Sequence, residues 1–357
     1  MLGMQFNHNI IPADYHVFGG LDVDKKHIVA TFMDHQQAAK STHMPYDADH
    51  LIHFVQKHFP NQKIAFAYEA GPTGYGLYDQ LTKSGYPCLV AAPSMIPIAP
   101  GQRVKTNRLD SKRIAEMLRG GHLRSIHVPT PPYRQLRHLV QLRDTFVKQA
   151  VAHKCRIKAL FLMEGLQFPS SRAPWTKSVL SQLAELPCDP TIRFKLDSLL
   201  AGLSFAQQQV LQTQKEIRRY CQHDPELSQC IQHLTTIPGI GRIVASHLLA
   251  RIGDWRLIDN VRQLSSFLGL IPRENSTGDR IHRGSITHSG DGRLRTKLVQ
   301  SAWISIYKDP EMTEFYNRIR QRHPVDQAAR KAIVAVANKL TKRIYSVLKQ
   351  QRPYVVR

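Results

Sequence analysis

Two short apolar runs near the start of the chain, "YHVFGGLD" and "HIVATFM", flank the polar link "VDKK" between Tyr15 and Met33. β-Rich runs joined so briefly predict a hairpin. A third run, "KIAFAYE", ends at Glu69; the glycine-punctuated "AGPTGYGLYDQLTKSG" after it predicts a turn and a helix, and "YPCLVAAP" a fourth strand. Strands followed by helices at this spacing predict an α/β domain over residues 1–130.

From Tyr133 to Glu164 there is neither Gly nor Pro, and Leu136, Leu139, Leu142, Phe146, Ala150, Ile157 and Leu160 recur at helical spacing. A second stretch, Ile192 to Tyr220, carries Leu196, Leu199, Leu203, Ala206, Val210 and Ile217 on one face, with "FPSSRAPW" opening the loop between the two. Helices this long predict a coiled coil or protruding antiparallel pair, or else an oligomerisation arm, over residues 131–224. After a break at "QHDPELSQ", residues 225–357 read as an all-α domain. "HLTTIPGIGRIVASHLLARIGDW" is a helix, a tight turn and a helix; "DNVRQLSSFLG" is another helix. The polar loop "PRENSTGDRIHRG", the basic helix "GDGRLRTKLVQSAWISIY" and a last helix from about Asp326 to Lys349 follow. No repeat of fixed period is visible.

Charge turns this fold into one with a partner. Lys and Arg number 49 against 27 acids, a net charge of +22 with the 18 His neutral. That balance points to a polyanion, bound by charge neutralisation and counterion release, and nucleic acid is the first reading. The basic residues cluster, since Gly101 to Leu160 holds 14 Lys or Arg and three acids. Five cysteines, Cys88, Cys155, Cys188, Cys221 and Cys230, form neither a disulfide framework nor a C-x-x-C zinc pair, which fits a reducing compartment. The first residues lack the plan of a signal peptide, and no run approaches the roughly 18 apolar residues of a membrane span. A cytoplasmic protein is expected, without membrane contact and nucleoid-associated if DNA is the partner.

Three acids of the first domain lie at element ends: Asp22 closes the first strand, Glu69 the third, and Asp110 begins the helix of "KTNRLDSKRIAEML". Singly each reads as a turn cap, a solvated strand-end acid or a first-turn acid facing the helix dipole. Together, in a basic surround, they match the way hard divalent metals are held near phosphates. The "IPGIG" turn, Ile237 to Gly241, reads either as a plain interhelical turn or as a helix-hairpin-helix element, whose Gly239 and Gly241 let backbone N–H groups meet a phosphate. In the polar loop, Ser276 and Thr277 precede Gly278, with Arg280, His282 and Arg283 behind and Arg293, Arg295 and Lys297 on the next helix. An exposed hydroxyl beneath guanidinium groups suits attack on a phosphodiester. A solvated turn is the plainer alternative, and no general base stands out, although His282 and His288 are near.

Six motifs in order, "GLDVDK", "YEAGPTGYG", "VKTNRLDSKRIAEML", "IPGIGRIVASHLLARIGD", "FLGLIPRENSTG" and "GSITHSGDGRLRTKLV", cover nearly the whole chain. In them the sequence resembles the insertion sequence 110 family of transposases, the bridge-RNA-guided recombinases. The resemblance implies a RuvC-like, RNase H-like N-terminal domain with an Asp-Glu-Asp-Asp metal site, a coiled coil, and a C-terminal transposase domain with a catalytic serine. Position by position, the metal site falls on Asp22, Glu69, Asn107 and Asp110, so the third acid is here an asparagine, neutral but with a carbonyl oxygen to offer. The nucleophile falls on Ser276, with Thr277 the alternative. Further implied are Mg2+, donor and target DNA, a structured bridge RNA, and a dimer or tetramer. Arg103, Lys105, Arg108, Gly239, Gly241, Arg280, Arg283, Arg293 and Arg295 are the expected nucleic-acid contacts. The rival enzyme reading is a Holliday-junction resolvase-like nuclease using metal-activated water.

Overall fold

The computed structural model of the chain describes residues 10–93, 96, 106–170, 172, 174–274 and 283–356. The expected hairpin is present as β1 (Val17–Val23) and β2 (His27–Asp34), antiparallel from Val17↔Asp34 to Val23↔Ile28. Its turn is closed by the Asp24 N–H to the His27 carbonyl at 2.9 Å, while the Asp24 carboxylate accepts from the Lys25 N–H. Asp24 thereby serves its own turn. β3 (Ala39–Pro45) pairs antiparallel with β2, and β4 (Ile64–Glu69) and β5 (Cys88–Ala91) add parallel to β1 and to one another. The sheet order is β3-β2-β1-β4-β5.

The near-continuous burial of β4 and β5 has a cause, since helices cover both faces. On one face, Leu21, Ile28, Phe32, Phe66 and Tyr68 meet Leu51 and Val55 of α1 (Ala48–His58) and Leu77 and Leu81 of α2 (Gly76–Lys83). On the other, Phe18, Ala65, Ala67, Leu89 and Ala91 meet Ile114 and Leu118 of α3 (Asn107–Arg119). The sequence pattern predicts neither β3 nor α1. β3 is an edge strand whose only buried side chain is Met44, so it lacks a two-residue apolar alternation.

The long helices are α4 (Pro131–Met163) and α6 (Pro190–His223), each opening on a proline, which suits a first turn that has no use for its N–H. They run antiparallel: the Tyr220 hydroxyl donates to the Pro132 carbonyl at one end, Phe146 meets Phe205 edge-on further along, and His153 lies against Gly202. Ile157, Leu160, Leu196, Leu203 and Ala206 close the far part of the seam with Val179 and Leu183 of α5 (Lys177–Glu185). One expected seam residue is misplaced: Leu142 is 47% exposed and Val140 is buried instead.

A single residue, Asp224, separates α6 from α7 (Pro225–Thr235), capping the latter through the Leu227 N–H, so the expected break is narrower than its composition suggests. α8 (Arg242–Ile252), α9 (Val261–Phe267), α10 (Gly292–Lys308), α11 (Pro310–Arg320) and α12 (Val325–Gln350) follow. The all-α expectation for this section needs correction. β6 (Pro272–Glu274) and β7 (Arg283–Ile286) form an antiparallel ladder either side of residues 275–282, and the region is largely rather than wholly helical. Both strands are too short and too exposed to carry an apolar pattern. The chain divides into two compact units, one of Met1–Pro129 with Leu257–Arg295 and one of Thr130–Arg256 with Thr296–Arg357. No helix among the described residues is long and apolar enough to cross a membrane.

Candidate metal and nucleic-acid site

Strand alternation decides which way the acids face. Phe18, Gly20 and Asp22 share one face of β1, and Ala65, Ala67 and Glu69 share one face of β4. Phe18, Ala65 and Ala67 pack with Ile114 and Leu118, so this is the face that α3 covers. The parallel register pairs Gly20 with Ala67 and Leu21 with Tyr68, which brings Asp22 and Glu69 level at the carboxyl ends of neighbouring strands.

α3 reaches that end because Gly20 has no side chain. A Cβ there would lie 2.1 Å from the Ser111 carbonyl oxygen and 2.3 Å from the Ala115 nitrogen, so the helix backbone rests directly on the strand. Ser111 is fully buried and its hydroxyl meets Thr31 Oγ1 at 2.8 Å, which in turn meets Ser41 Oγ at 3.0 Å. This chain of hydroxyls fixes the rotation of α3 on β2 and β3. Thr106 caps the helix by accepting from the Leu109 N–H, and the first turn then carries Asn107 and Asp110, one turn apart on the same side. On the strand side, the Tyr68 hydroxyl donates to the Gly74 carbonyl at 3.1 Å, tying down the loop that follows Glu69.

Within this arrangement Asp22 is half-buried and not free of partners, Glu69 and Asn107 are exposed, and Asp110 is half-buried with its Oδ1 3.3 Å from Arg113 Nη1. Among the described residues no three His, Cys, Asp or Glu side chains are gathered closely enough to hold a metal. The fold thus sets the donors on one face while Arg113 engages one of them, a pairing that the sequence reading did not include. As a donor set, three carboxylates and one amide carbonyl are all oxygen, the chemistry that hard divalent cations select.

The expected nucleic-acid contacts separate into groups. Arg103, Lys105, Ser276, Thr277, Arg280 and His282 lie outside the described residues. Arg108 is exposed on α3, and Arg283 opens β7 opposite Glu274. Arg293 is exposed in the first turn of α10, which Asp291 caps by accepting from the Arg293 and Leu294 N–H groups. Arg295, by contrast, is half-buried and donates to the Leu268 carbonyl at 3.1 Å, where Gly269 and Gly290 let two backbone segments touch. Its guanidinium holds a loop together. Lys297, grouped with these by sequence, is 3.1 Å from Asp144 Oδ1, which also meets His247 Nε2 at 3.1 Å. Burial raises the Asp144 carboxyl, but the His247 hydrogen bond and charge together with Lys297 outweigh it and hold the group at about 2.

The "IPGIG" turn is built as expected between α7 and α8. Gly239 has φ of +92°, and a Cβ on it would lie 2.4 Å from the Ser301 carbonyl, so the turn sits on the backbone of α10. Gly241 is the N-cap of α8 and is exposed, with open space where a Cβ would be.

A sheet of order β3-β2-β1-β4-β5, with acids near the ends of β1 and β4 and another on the covering helix, defines an RNase H-like domain. The family models agree at both ends of the chain. Residues 19–164 match the model described as "Transposase" for the DEDD domain of this group, and residues 231–317 match "Transposase IS116/IS110/IS902 family". The chain belongs to the IS116/IS110/IS902 family of transposases. Among curated relatives, it is 36% identical over 247 residues to the putative transposase y4qE of Sinorhizobium fredii, covering 69% of this chain and 60% of that protein's length. It is 28% identical over 258 residues to the transposase for insertion sequence element IS1328 of Yersinia enterocolitica, covering 69% and 73%. A pilin gene-inverting protein of Moraxella bovis is 36% identical over 132 residues, 36% of this chain and 40% of that protein.

Proposed function

We propose that this protein is a DNA transposase that cuts and rejoins strands through a phosphoserine ester, guided by a structured bridge RNA and acting as a dimer or tetramer. The observation that carries the reading is the shared sheet face of Asp22 and Glu69 beneath the α3 turn bearing Asn107 and Asp110. Family membership and the net charge of +22 support it. In this reading residues 1–130 form a RuvC-like metal domain, 131–224 an arm for assembly, and 225–357 the transposase domain.

Asp22, Glu69, Asn107 and Asp110 would hold Mg2+, which when bound polarises a phosphoryl oxygen and eases departure of the leaving oxygen. Asn107 contributes no charge, so the site carries one negative charge fewer than a four-acid set, and Asp110 must exchange its contact with Arg113 for the cation. The Ser276 hydroxyl attacks a phosphodiester, with Thr277 the alternative. One phosphorus–oxygen bond to deoxyribose is broken and one to serine is formed, so the ester is conserved. Re-attack by another strand's hydroxyl then reseals DNA without an external energy source. Exposed Arg108 and Arg293 and the α8 N-terminus at Gly241 position the polyanion, and sequence choice falls to base pairing with the RNA.

The test is a trap. Suicide DNA substrate incubated with the protein and its guide RNA is expected to yield a protein–DNA adduct that is lost in Ser276→Ala and kept in Thr277→Ala. An adduct surviving Ser276→Ala would move the nucleophile to Thr277. Cleavage by wild type with no adduct at all would replace this mechanism by hydrolysis, the resolvase-like reading.

A further inference from the structure

α11, α12 and the segment after α12 line a half-open cavity of about 570 Å3, within the range of roughly 300–1,000 Å3 typical of small-ligand sites. Its charge is one-sided: Lys339, Lys342, Arg343 and Arg352 line it against the single acid Glu311. That acid is already engaged. Lys339 Nζ lies 2.6 Å from Glu311 Oε1, and Arg343 Nη2 lies 2.5 Å from Glu311 Oε2.

Arg343 is the fixed floor of the cavity. It is 7% exposed, ion-paired to the fully buried Asp309, and its guanidinium carbon lies 4.6 Å from the centre of the Tyr354 ring. Tyr354 is anchored in turn by its N–H donating to Thr236 Oγ1 at 2.7 Å. Two cations remain in excess. Lys342 is exposed and makes no ion pair or hydrogen bond among the described residues, and Arg352 makes one hydrogen bond, from Nε to the Gln350 side chain. The same lining includes the apolar Val347, Pro353 and Val355 and the aromatic Tyr354.

Uncompensated cations that share a cavity with aromatic and aliphatic side chains, in a space larger than a bare anion needs, match a phosphate joined to a flat ring. We infer that this cavity holds one nucleotide unit of a single-stranded nucleic acid, its phosphate on Lys342 and Arg352 and its base against Tyr354. None of the cavity's lining residues is among the acids of β1, β4 and α3. It rests on the reading that the protein acts on nucleic acid, and it adds a place where an unpaired strand is gripped.

The experiment titrates full-length protein with a fluorescent single-stranded 12-mer across a salt series. Lys342→Gln with Arg352→Gln is expected to weaken binding at least about tenfold and to lower the salt slope by about 0.7, the value for one neutralised single-strand phosphate. Lys57→Gln on α1, which removes a charge elsewhere, should change binding less than about twofold. Irradiation of a 5-iodouridine oligonucleotide should crosslink Tyr354, located by mass spectrometry. Wild-type binding that the double variant leaves unchanged in affinity and slope, or crosslinks absent from residues 342–355, overturns the proposal. Weakened binding by the double variant without any crosslink reduces the cavity to a plain anion site and also overturns it. Failure of the wild type to bind any oligonucleotide would instead refute the transposase reading.

Discussion

Replacing Gly20 by Ala tests whether the proposed metal site depends on how closely α3 lies on β1. The added methyl would meet the Ser111 carbonyl oxygen at 2.1 Å, the Ala115 nitrogen at 2.3 Å and the Ala115 Cα at 2.9 Å. All three are backbone atoms of one helix, so no rotamer change relieves the clash. α3 must retreat by more than about 1 Å, breaking close packing along Ile114 and Leu118 and straining the buried Thr31–Ser111 hydrogen bond. Overpacking of this kind costs about 2–3 kcal/mol. For a unit of this size it lowers the melting temperature by roughly 4–10 °C. The retreat also carries Asn107 and Asp110 away from Asp22 and Glu69, and a displacement of about 1 Å at a reacting centre lowers activity about 100-fold. Gly19→Ala is the control on the same strand. Its methyl would meet the Phe66 ring at 2.7 Å, a side chain on the opposite face from α3. Thermal melting and isothermal titration with Mn2+ on both variants are expected to show weakened metal binding for Gly20→Ala alone. Gly20→Ala within about 0.5 kcal/mol of wild type and with unaltered Mn2+ affinity would refute the argument.

Three further outcomes follow from particular contacts. Asp144→Asn leaves His247 and Lys297 without their shared anion and should destabilise the protein by about 1–3 kcal/mol in urea titrations at pH 6, less than a fully buried pair because Asp144 keeps some exposure. Since the folded carboxyl is held at about 2, below the unfolded value of roughly 3.9, its contribution is complete above that value and fades as pH falls towards 2. The gap between wild type and Asp144→Asn should therefore be narrower at pH 2.5 than at pH 6; a constant gap would refute the ion-pair origin. Gly239→Ala meets both a positive φ and the Ser301 carbonyl, and is expected to cost at least about 2 kcal/mol by denaturant midpoint, whereas Gly241→Ala, facing open space, should cost less than about 1.

The N-terminal sheet was legible because β1, β2, β4 and β5 each bury a run of apolar residues, and the long helices because their apolar positions repeat over many turns. Asp22 and Glu69 stood out because each ends such a run. What escaped depends on contacts remote in sequence. Nothing near Lys297 marks its partner Asp144, 153 positions away, nor does anything near Arg343 mark Asp309, 34 away. Charge alone therefore grouped Arg295 and Lys297 with Arg293, although only Arg293 is exposed. α11 has a readable start in Asp309 followed by Pro310, but its 11 residues are too few to show a long apolar repeat.

The division into units also sets the order in which the protein can be made. The five-stranded sheet is complete once residue 129 has been synthesised, but its unit also takes in Leu257–Arg295, and the helical unit started at Thr130 takes in Thr296–Arg357. Neither unit is finished when the next begins. The carboxylate of Asp144, with only the adjacent Arg143 beside it, waits on the ribosome for His247 and then for Lys297, and through that interval the apolar seam of α4 is unclosed. Folding here is interleaved rather than sequential, so a truncated transcript that stops short of α10 leaves both units open at once.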